Sequence, residues 1–356
     1  MKRIVIAGPY DVRIEDIEIP KPGPGMLLVK AELSGVSAGT EMTLYRGTYP
    51  NFKLKKYPQW QDYPVLPGYE MVGTVVAVGE EADPGESAKR VDSLAPASAV
   101  ITTGTSDFKV GDRVVCMGEH AEYVCVPAGV AAKIADNVSS EEATLAVLGT
   151  TSMHAIRRSQ VEYGDTVAVI GMGIVGFLTM QHAKNSGARR VIALDLDDAR
   201  LAVAKEAGAD ICINPGKVNV EETIKALNGG ILADVVIEAS GHKGTERMAC
   251  EIVRERGRVT ILGFHDPIEF GYLDFFFKEI RVNASQAIGP EAGLPYSYVR
   301  WCSDQSLKWA MQLISEGKLK GCFKPKKYYY TEIHKVYDMI DKGNAGVGMQ
   351  IILTWE

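Results

Sequence analysis

A glycine-rich turn at residues 171–176 (GMGIVG) constrains the fold of this chain more than any other feature. The apolar run before it, residues 166–170 (TVAVI), is typical of a buried parallel strand. Residues 177–184 predict a helix, and residues 190–194 (RVIAL) predict a second strand that ends at Asp195. Strand, turn, helix and strand in this order predict a βαβ unit with a parallel sheet.

The turn has the spacing of a dinucleotide-binding loop. Its first glycine permits a tight turn, its second allows close approach of a pyrophosphate, and its third allows close packing of helix on strand. The N-terminal end of the next helix favours the same anion, through unpaired N–H groups and the helix dipole. Asp195 lies where a carboxylate accepts hydrogen bonds from the adenosine ribose. The predicted dinucleotide contacts in this unit are Gly171, Met172, Gly173, Ile174, Val175, Gly176, Asp195 and Arg200.

Asp195 also indicates which dinucleotide binds. A carboxylate there would repel the 2′-phosphate of NADP, whose sites usually carry a basic group instead. Arg200 is open to interpretation as that basic group. The aspartates at 195, 197 and 198 make the local field negative, which favours an arginine on the helix surface that covers the adenine. We therefore predict NAD rather than NADP as the cofactor.

Composition limits the class of protein. A chain of 356 residues is too long for one ordinary core, so two domains are expected. A net charge of −6 argues against a nucleic-acid partner, and no apolar run is long enough to span a membrane. The six cysteines lack C-x-x-C spacing, which fits free thiols in a reducing compartment. We expect a cytoplasmic protein with a small-molecule substrate and neither nucleic acid nor membrane as a partner.

The pattern of strands and helices predicts three segments. Residues 1–147 are β-rich and change to helix near Ser140, a predicted N-cap. Residues 148–290 alternate strand and helix as a doubly wound sheet does. Residues 291–356 no longer alternate, and we expect them to return to the first domain. Two long connections, 80–108 and the aromatic-rich 45–64, are open to interpretation as substrate lids or as surface variation.

Four further segments precede the glycine-rich turn in a recognisable order: 35–41 (GVSAGTE), 67–70 (PGYE), 110–114 (VGDRV) and 121–124 (AEYV). With the turn they resemble the medium-chain dehydrogenase/reductase superfamily, the alcohol-dehydrogenase fold, over essentially the whole chain. The resemblance implies an α/β protein with a GroES-like β-rich catalytic domain, a Rossmann doubly wound parallel-sheet domain and a cleft between them. It also implies assembly as a homodimer or homotetramer and hydride transfer between an alcohol carbon and nicotinamide.

The resemblance breaks at the catalytic zinc of that family. Ser37 stands in the segment that carries the ligand cysteine, and Tyr69 replaces the histidine of the G-H-E motif. The third ligand would fall near Val147 or Leu148, which cannot bind metal. Catalytic zinc takes three side chains drawn from cysteine, histidine and carboxylate. We predict no metal at the usual position and leave open a non-standard site that uses Glu70 and His120.

Without zinc, other groups must stabilise the substrate oxygen and take its proton. Thr40 matches the proton-relay hydroxyl of the family, and the position of His120 lines the substrate pocket in relatives. An imidazole has a suitable pKa for a general base, although a hydrogen-bonding wall residue is the alternative role for His120. Glu70 completes the predicted catalytic set. The resemblance also implies nicotinamide contacts at Gly263 and Phe264.

These features predict an NAD-dependent alcohol dehydrogenase that acts on a secondary hydroxyl of a polyol, sugar or cyclitol-like substrate. Two alternatives stay open. One is a zinc-free, NADPH-dependent enoyl or quinone reductase of the same superfamily. The other is a dinucleotide-binding protein without enzymatic activity.

Overall fold

The computed structural model describes residues 1–56, 60–81, 104–265, 267–287, 301–321, 325–343 and 349–355. The chain divides into two compact units. The first comprises Met1–Val147, Pro290–Glu316 and Lys324–Glu356, and the second comprises Leu148–Gly289 and Gly317–Phe323. Residues 317–323 therefore belong to the second unit and not to the C-terminal return. Most of the predicted connection at 80–108 and part of that at 45–64 lie outside the described residues.

The N-terminal part of the chain is β-rich, as its short apolar runs between glycine and proline predict. Its strands are β1 (Lys2–Gly8), β2 (Asp11–Asp16), β3 (Met26–Val36), β4 (Met71–Val78), β5 (Arg113–Cys116), β6 (Tyr123–Pro127) and β7 (Ala131–Lys133). Its helices are α1 (Thr40–Arg46), α2 (Pro50–Leu54) and α3 (Ser140–Ala143). Helix α3 is capped by Ser139, whose hydroxyl accepts from the backbone N–H of Glu142 in a capping box, so the N-cap lies one residue before the predicted Ser140.

The middle of the chain alternates helix and strand. Its helices are α4 (Leu145–Ser159), α5 (Ile174–Asn185), α6 (Asp198–Glu206), α7 (Val220–Leu227), α8 (Thr245–Ile252) and α9 (Tyr272–Phe277). Its strands are β8 (Thr166–Ile170), β9 (Arg190–Leu194), β10 (Ile211–Ile213), β11 (Ala233–Glu238), β12 (Val253–Ile261) and β13 (Arg281–Ala284). The strands form a parallel sheet in the order β10-β9-β8-β11-β12-β13. This is the doubly wound order, and it confirms the predicted fold of this part.

The C-terminal part adds α10 (Ser303–Ser315), β14 (Lys326–Tyr329), α11 (Ile333–Asp341) and β15 (Ile351–Thr354). Strand β15 pairs antiparallel with β3, and β14 pairs parallel with β15. The resulting sheet runs β14-β15-β3-β4-β5-β7, with β6 also on β3. Residues from both ends of the chain therefore share one core, in which Ile4, Met71 and Tyr337 are fully buried. No helix in the described ranges has the length and apolar character needed to cross a membrane.

Candidate functional site

The glycine-rich turn of the second unit has the geometry that its three glycines predict. Gly171 adopts φ +90° at the end of β8, in the left-handed region. A Cβ at Gly176 would lie 1.8 Å from the carbonyl oxygen of Gly171, so only glycine permits this packing of α5. At Gly173, by contrast, no described atom lies within 4 Å of such a Cβ. Open space therefore remains at the point where a pyrophosphate would approach.

Helix α5 presents its N-terminal end at this open space. Gly173 is the N-cap, and no described side chain caps the helix. Gly173, Ile174 and Val175 are half-buried, whereas Met172 and Gly176 on either side are buried. Free N–H groups and the positive end of the helix dipole are thus presented together, which suits a phosphate.

Asp195, at the end of β9, holds this turn in place. Its Oδ2 accepts from the backbone N–H of Met172 at 2.6 Å, and its Oδ1 accepts from that of Asp197 at 2.8 Å. A carboxylate can accept about four hydrogen bonds, so capacity remains for two ribose hydroxyls. Arg200 lies 3.9 Å from Asp195 and 3.7 Å from Asp197, with 40% of its side chain exposed. A 2′-phosphate would therefore compete with two carboxylates for this guanidinium.

Gly263 and Phe264 follow β12 at the same carboxyl edge of the sheet. The Gly263 N–H donates to the carbonyl of Glu238 at 3.0 Å, and a Cβ at Gly263 would lie 2.4 Å from the backbone nitrogen of Gly241. The side chain of Phe264 is exposed. The structure thus brings the predicted nicotinamide contacts to the edge on which Gly171 lies.

A buried acidic cluster at this edge was missed by the sequence analysis. The Nε2 atom of His265 lies 2.6 Å from Oε2 of Glu238, and its Nδ1 atom lies 3.4 Å from Oε2 of Glu246. All three side chains are almost fully buried. Glu238 also accepts from the backbone N–H of Ser240 at 2.8 Å and the hydroxyl of Thr245 at 2.9 Å. A glutamate that directly follows the apolar residues 235–237 (VVI) of a strand was the available sequence signal.

The first unit carries the predicted catalytic residues, which come together around residues 37–41. The Tyr69 hydroxyl donates to Oγ of Ser37 at 2.5 Å and lies 3.5 Å from Oγ1 of Thr40. Burial and the charge of Glu70 raise the pKa of Tyr69, and the two hydroxyl neighbours lower it by less. Tyr69 therefore stays protonated near neutral pH.

His120 is fully buried, and both its ring nitrogens have protein partners. Nδ1 lies 2.8 Å from Oγ of Ser34, and Nε2 lies 3.1 Å from Oε2 of Glu41. The Ser34 oxygen already accepts from the indole N–H of Trp355 at 2.9 Å. The Glu41 carboxylate already accepts from Tyr337 and Ser37 and only accepts, so Nε2 donates to it, and the Ser34 hydroxyl is the partner of Nδ1. This arrangement favours the alternative role of a hydrogen-bonding wall residue, because both ring nitrogens of His120 have protein partners.

Glu41 is the centre of that network. Besides His120, it accepts from the hydroxyl of Tyr337 at 2.6 Å and from the backbone N–H of Ser37 at 2.8 Å. Burial, followed by the charge of Glu41, raises the pKa of Tyr337 well above its ordinary value. The network fixes the backbone of the segment that carries Ser37 and Thr40.

Glu70 directly follows Tyr69 in the sequence, and its side chain is buried. Its Oε1 atom has no hydrogen-bond partner among the described atoms. Burial and the nearby charge of Glu41 raise its pKa well above the ordinary value. Gly35 makes room for this carboxyl group, since a Cβ there would lie 2.4 Å from Oε2. Glu70 therefore favours its neutral form in the folded protein.

The donors of this region do not fit catalytic zinc. Ser37 and Tyr69, at two of the expected ligand positions, are neutral hydroxyls that bind each other. The nitrogens of His120 are occupied, which leaves Glu70 as a donor of the type that zinc selects. Within the described ranges, no group of three or more histidine, cysteine or acidic side chains could hold a metal ion. The absence of zinc in the protein itself stays a prediction.

Two family models match this chain. Residues 23–136 match the alcohol dehydrogenase GroES-like domain, and residues 175–301 match the zinc-binding dehydrogenase family. The first match confirms the GroES-like domain that the motifs predict.

Known proteins are similar over nearly the whole length. The erythritol/L-threitol dehydrogenase of Mycolicibacterium smegmatis is 31% identical, with 99% of this chain and 97% of the relative covered. The sorbitol dehydrogenase of Halalkalibacterium halodurans is 28% identical, with 94% and 93% covered. The fold matches that of an alcohol dehydrogenase from Escherichia coli CFT073, solved with NADH, at a TM-score of 0.77 and 23% identity, with 100% and 99% covered. This chain therefore belongs to the medium-chain dehydrogenase/reductase superfamily and is an oxidoreductase of the alcohol dehydrogenase type.

Proposed function

We propose that this oxidoreductase is an NAD-dependent alcohol dehydrogenase that acts on a secondary hydroxyl of a polyol, sugar or cyclitol-like substrate. The observation that carries the cofactor choice is Asp195, which is bound to the glycine-rich turn and retains capacity for ribose hydroxyls. A 2′-phosphate at the same place would meet this carboxylate.

The polyol class is supported by two independent facts. The relatives named above carry the names of erythritol, threitol and sorbitol dehydrogenases. The site of the first unit offers the hydroxyls of Ser37, Thr40 and Tyr69, together with the buried carboxyl group of Glu70. Several polar groups that converge in a buried site suit a substrate with several hydroxyls.

In this mechanism the residues of the protein bind the dinucleotide, orient the substrate and transfer the proton. The bound dinucleotide supplies the hydride acceptor. The N-terminal end of α5 would stabilise the pyrophosphate of the dinucleotide, and Asp195 would hold the adenosine ribose. Thr40 hydrogen-bonds the substrate oxygen, and the Glu41 network holds Thr40 in position.

The first test is a screen for NADH formation, followed by absorbance, with polyols, sugars and cyclitols as substrates and NAD or NADP as cofactor. We expect turnover with NAD on at least one polyol. Reduction of an activated C=C bond by NADPH alone would select the enoyl or quinone reductase. Tight NADH binding without turnover on the whole panel would select the non-enzymatic alternative.

The cofactor assignment has its own test in Asp195→Ser. The loss of charged hydrogen bonds to the ribose is expected to lower the NAD to NADP ratio of kcat/KM by about 10- to 100-fold, since such bonds contribute about 1.5–3 kcal/mol. Asp210→Ser is the matched control, because Asp210 pairs with Lys184 away from the glycine-rich turn and should leave NAD use intact. An unchanged ratio in Asp195→Ser would contradict the role of this carboxylate.

A cytoplasmic location and assembly as a homodimer or homotetramer stay predictions.

A further inference from the structure

Three hydroxyl side chains from separate segments of the first unit meet, and two of them, Ser37 and Tyr69, stand at positions to which the resemblance assigns zinc ligands. Ser37 follows β3, Thr40 begins α1, and Tyr69 lies just before β4. Tyr69 lies 2.5 Å from Ser37 and 3.5 Å from Thr40 between the hydroxyl oxygens. Ser37 is buried, whereas Thr40 and Tyr69 are half-buried. A chain of hydroxyls thus leads from a buried position to one that solvent reaches.

We propose that Tyr69 is a catalytic residue that contacts the substrate oxygen and carries its proton, with Ser37 as its positioning residue and Thr40 as the relay to solvent. This assignment rests on the proposed alcohol dehydrogenase function and supplies the proton transfer that this function requires. It also follows from the donor set, which does not fit zinc.

The hydrogen bonds leave Tyr69 free to accept a proton. Its O–H donates to Ser37, so its oxygen lone pairs are available to the hydroxyl of a substrate. In alcohol oxidation the C–H bond breaks, and its electron pair leaves with the hydrogen as hydride to the nicotinamide. The O–H bond also breaks, and its proton moves to the Tyr69 oxygen as the Tyr69 O–H turns from Ser37 to Thr40 and passes its own proton through the Thr40 hydroxyl to water. The electron pair left on oxygen forms the carbonyl bond, so one alcohol and one NAD give one ketone, one NADH and one proton.

Two other titratable groups nearby, Glu41 and His120, are committed elsewhere. Glu41 accepts three hydrogen bonds within its own network, and His120 has no free ring nitrogen. Burial opposes the formation of a phenolate at Tyr69. Tyr69 therefore acts by exchanging one proton for another, which keeps its ring hydroxyl neutral throughout.

The test compares Tyr69→Phe with Tyr330→Phe, which removes one phenol hydroxyl from another buried tyrosine of the same unit. On the best alcohol found with wild type, Tyr69→Phe should lower kcat by about 10²- to 10⁴-fold, the usual contribution of a proton-transfer group. The Kd of NADH, measured by fluorescence titration, should stay unchanged, as should both values in Tyr330→Phe. Ser37→Ala should lower kcat by a smaller factor, because the phenol itself remains.

The outcomes separate this assignment from the proposed function. Full turnover by Tyr69→Phe, with wild type active, would overturn the role of Tyr69 and leave the alcohol dehydrogenase function intact. An inactive wild type would overturn the function and the assignment together. Metal analysis of protein purified without added zinc gives an independent check, with well under one ion per chain expected. About one tightly held zinc per chain, together with loss of activity on chelation, would overturn the hydroxyl mechanism.

Discussion

Glu41 lies at the point where the buried hydrogen bonds of the first unit converge, with Ser37, His120 and Tyr337 as its donors. Glu41→Ala leaves these three buried donors without an acceptor. We expect a loss of at least about 3 kcal/mol in the free energy of unfolding, because each buried donor that loses its partner costs about 1–3 kcal/mol. Denaturant unfolding measures this loss.

Glu15→Ala is the matched control for Glu41→Ala. Glu15 is 41% exposed and pairs with Arg3 at the surface, so its removal should cost less than about 1 kcal/mol. Equal losses in the two variants would show that the Glu41 network does not stabilise the fold.

Glu70 makes the stability of the protein depend on pH. Its pKa is raised in the folded state above the ordinary value of 4.5. The folded protein therefore retains a proton that the unfolded chain has lost, and stability falls as pH rises from about 4.5 through the folded pKa. Glu70→Gln cannot ionise, and its free energy of unfolding should exceed that of wild type by about 1–3 kcal/mol near neutral pH. Melting temperatures at several pH values test this, and parallel curves for the two proteins would contradict it.

At the level of single residues, the sequence predicts which residues belong to the site better than it predicts which side chains they bind. The residue types Thr40, Glu70 and His120 marked the site region, and Asp195 marked the ribose end of the turn. The partners of His120 lie far away in the chain, with Ser34 at a separation of 86 residues and Glu41 at 79. No local pattern indicates such pairs, so whether His120 faces substrate or protein is decided by tertiary packing.

In the turn between strand β8 and helix α5, Gly173 and Gly176 are required for different reasons. Gly173→Ala fills space that the protein leaves open, whereas Gly176→Ala places a methyl group against the backbone of Gly171. We expect Gly173→Ala to keep its melting temperature and to raise the Kd of NADH at least about 10-fold, a loss of about 1.4 kcal/mol. Gly176→Ala should instead lose stability by about 1–3 kcal/mol or more. If both variants bind NADH as wild type does, the turn is not the dinucleotide site.

The sequence predicts those helices and strands whose apolar residues recur with a regular spacing along a short segment. The unit from β8 to β9 follows directly from its apolar strands and glycine spacing, and the helix predicted at 177–184 lies within α5 (Ile174–Asn185). The acidic cluster at the carboxyl edge was not predicted, because Glu238 and His265 are separated by 27 residues. Parallel strands bring their ends together regardless of what lies between them, and sequence spacing does not show which side chains then meet.

At the scale of the whole molecule, a ligand that binds only the folded protein should raise its stability. NADH at about 100 times its Kd is expected to add about 2.7 kcal/mol to the free energy of unfolding. NADPH at the same concentration should add less, because Asp195 opposes its extra phosphate. Thermal unfolding with each nucleotide measures the difference. Equal shifts for both would contradict the NAD preference.

The longest contacts of the Glu41 network determine when this network can be completed during synthesis. Tyr337 is 296 residues from Glu41, and Trp355 is 321 residues from Ser34. A nascent chain on the ribosome thus carries Glu41 and His120 long before the groups that enclose them are translated. The strands of the parallel sheet, β8 to β13, end at Ala284 and are translated earlier, and the second unit contains neither Tyr337 nor Trp355. Nucleotide capture is therefore expected to precede completion of the chemical centre while each copy is being made.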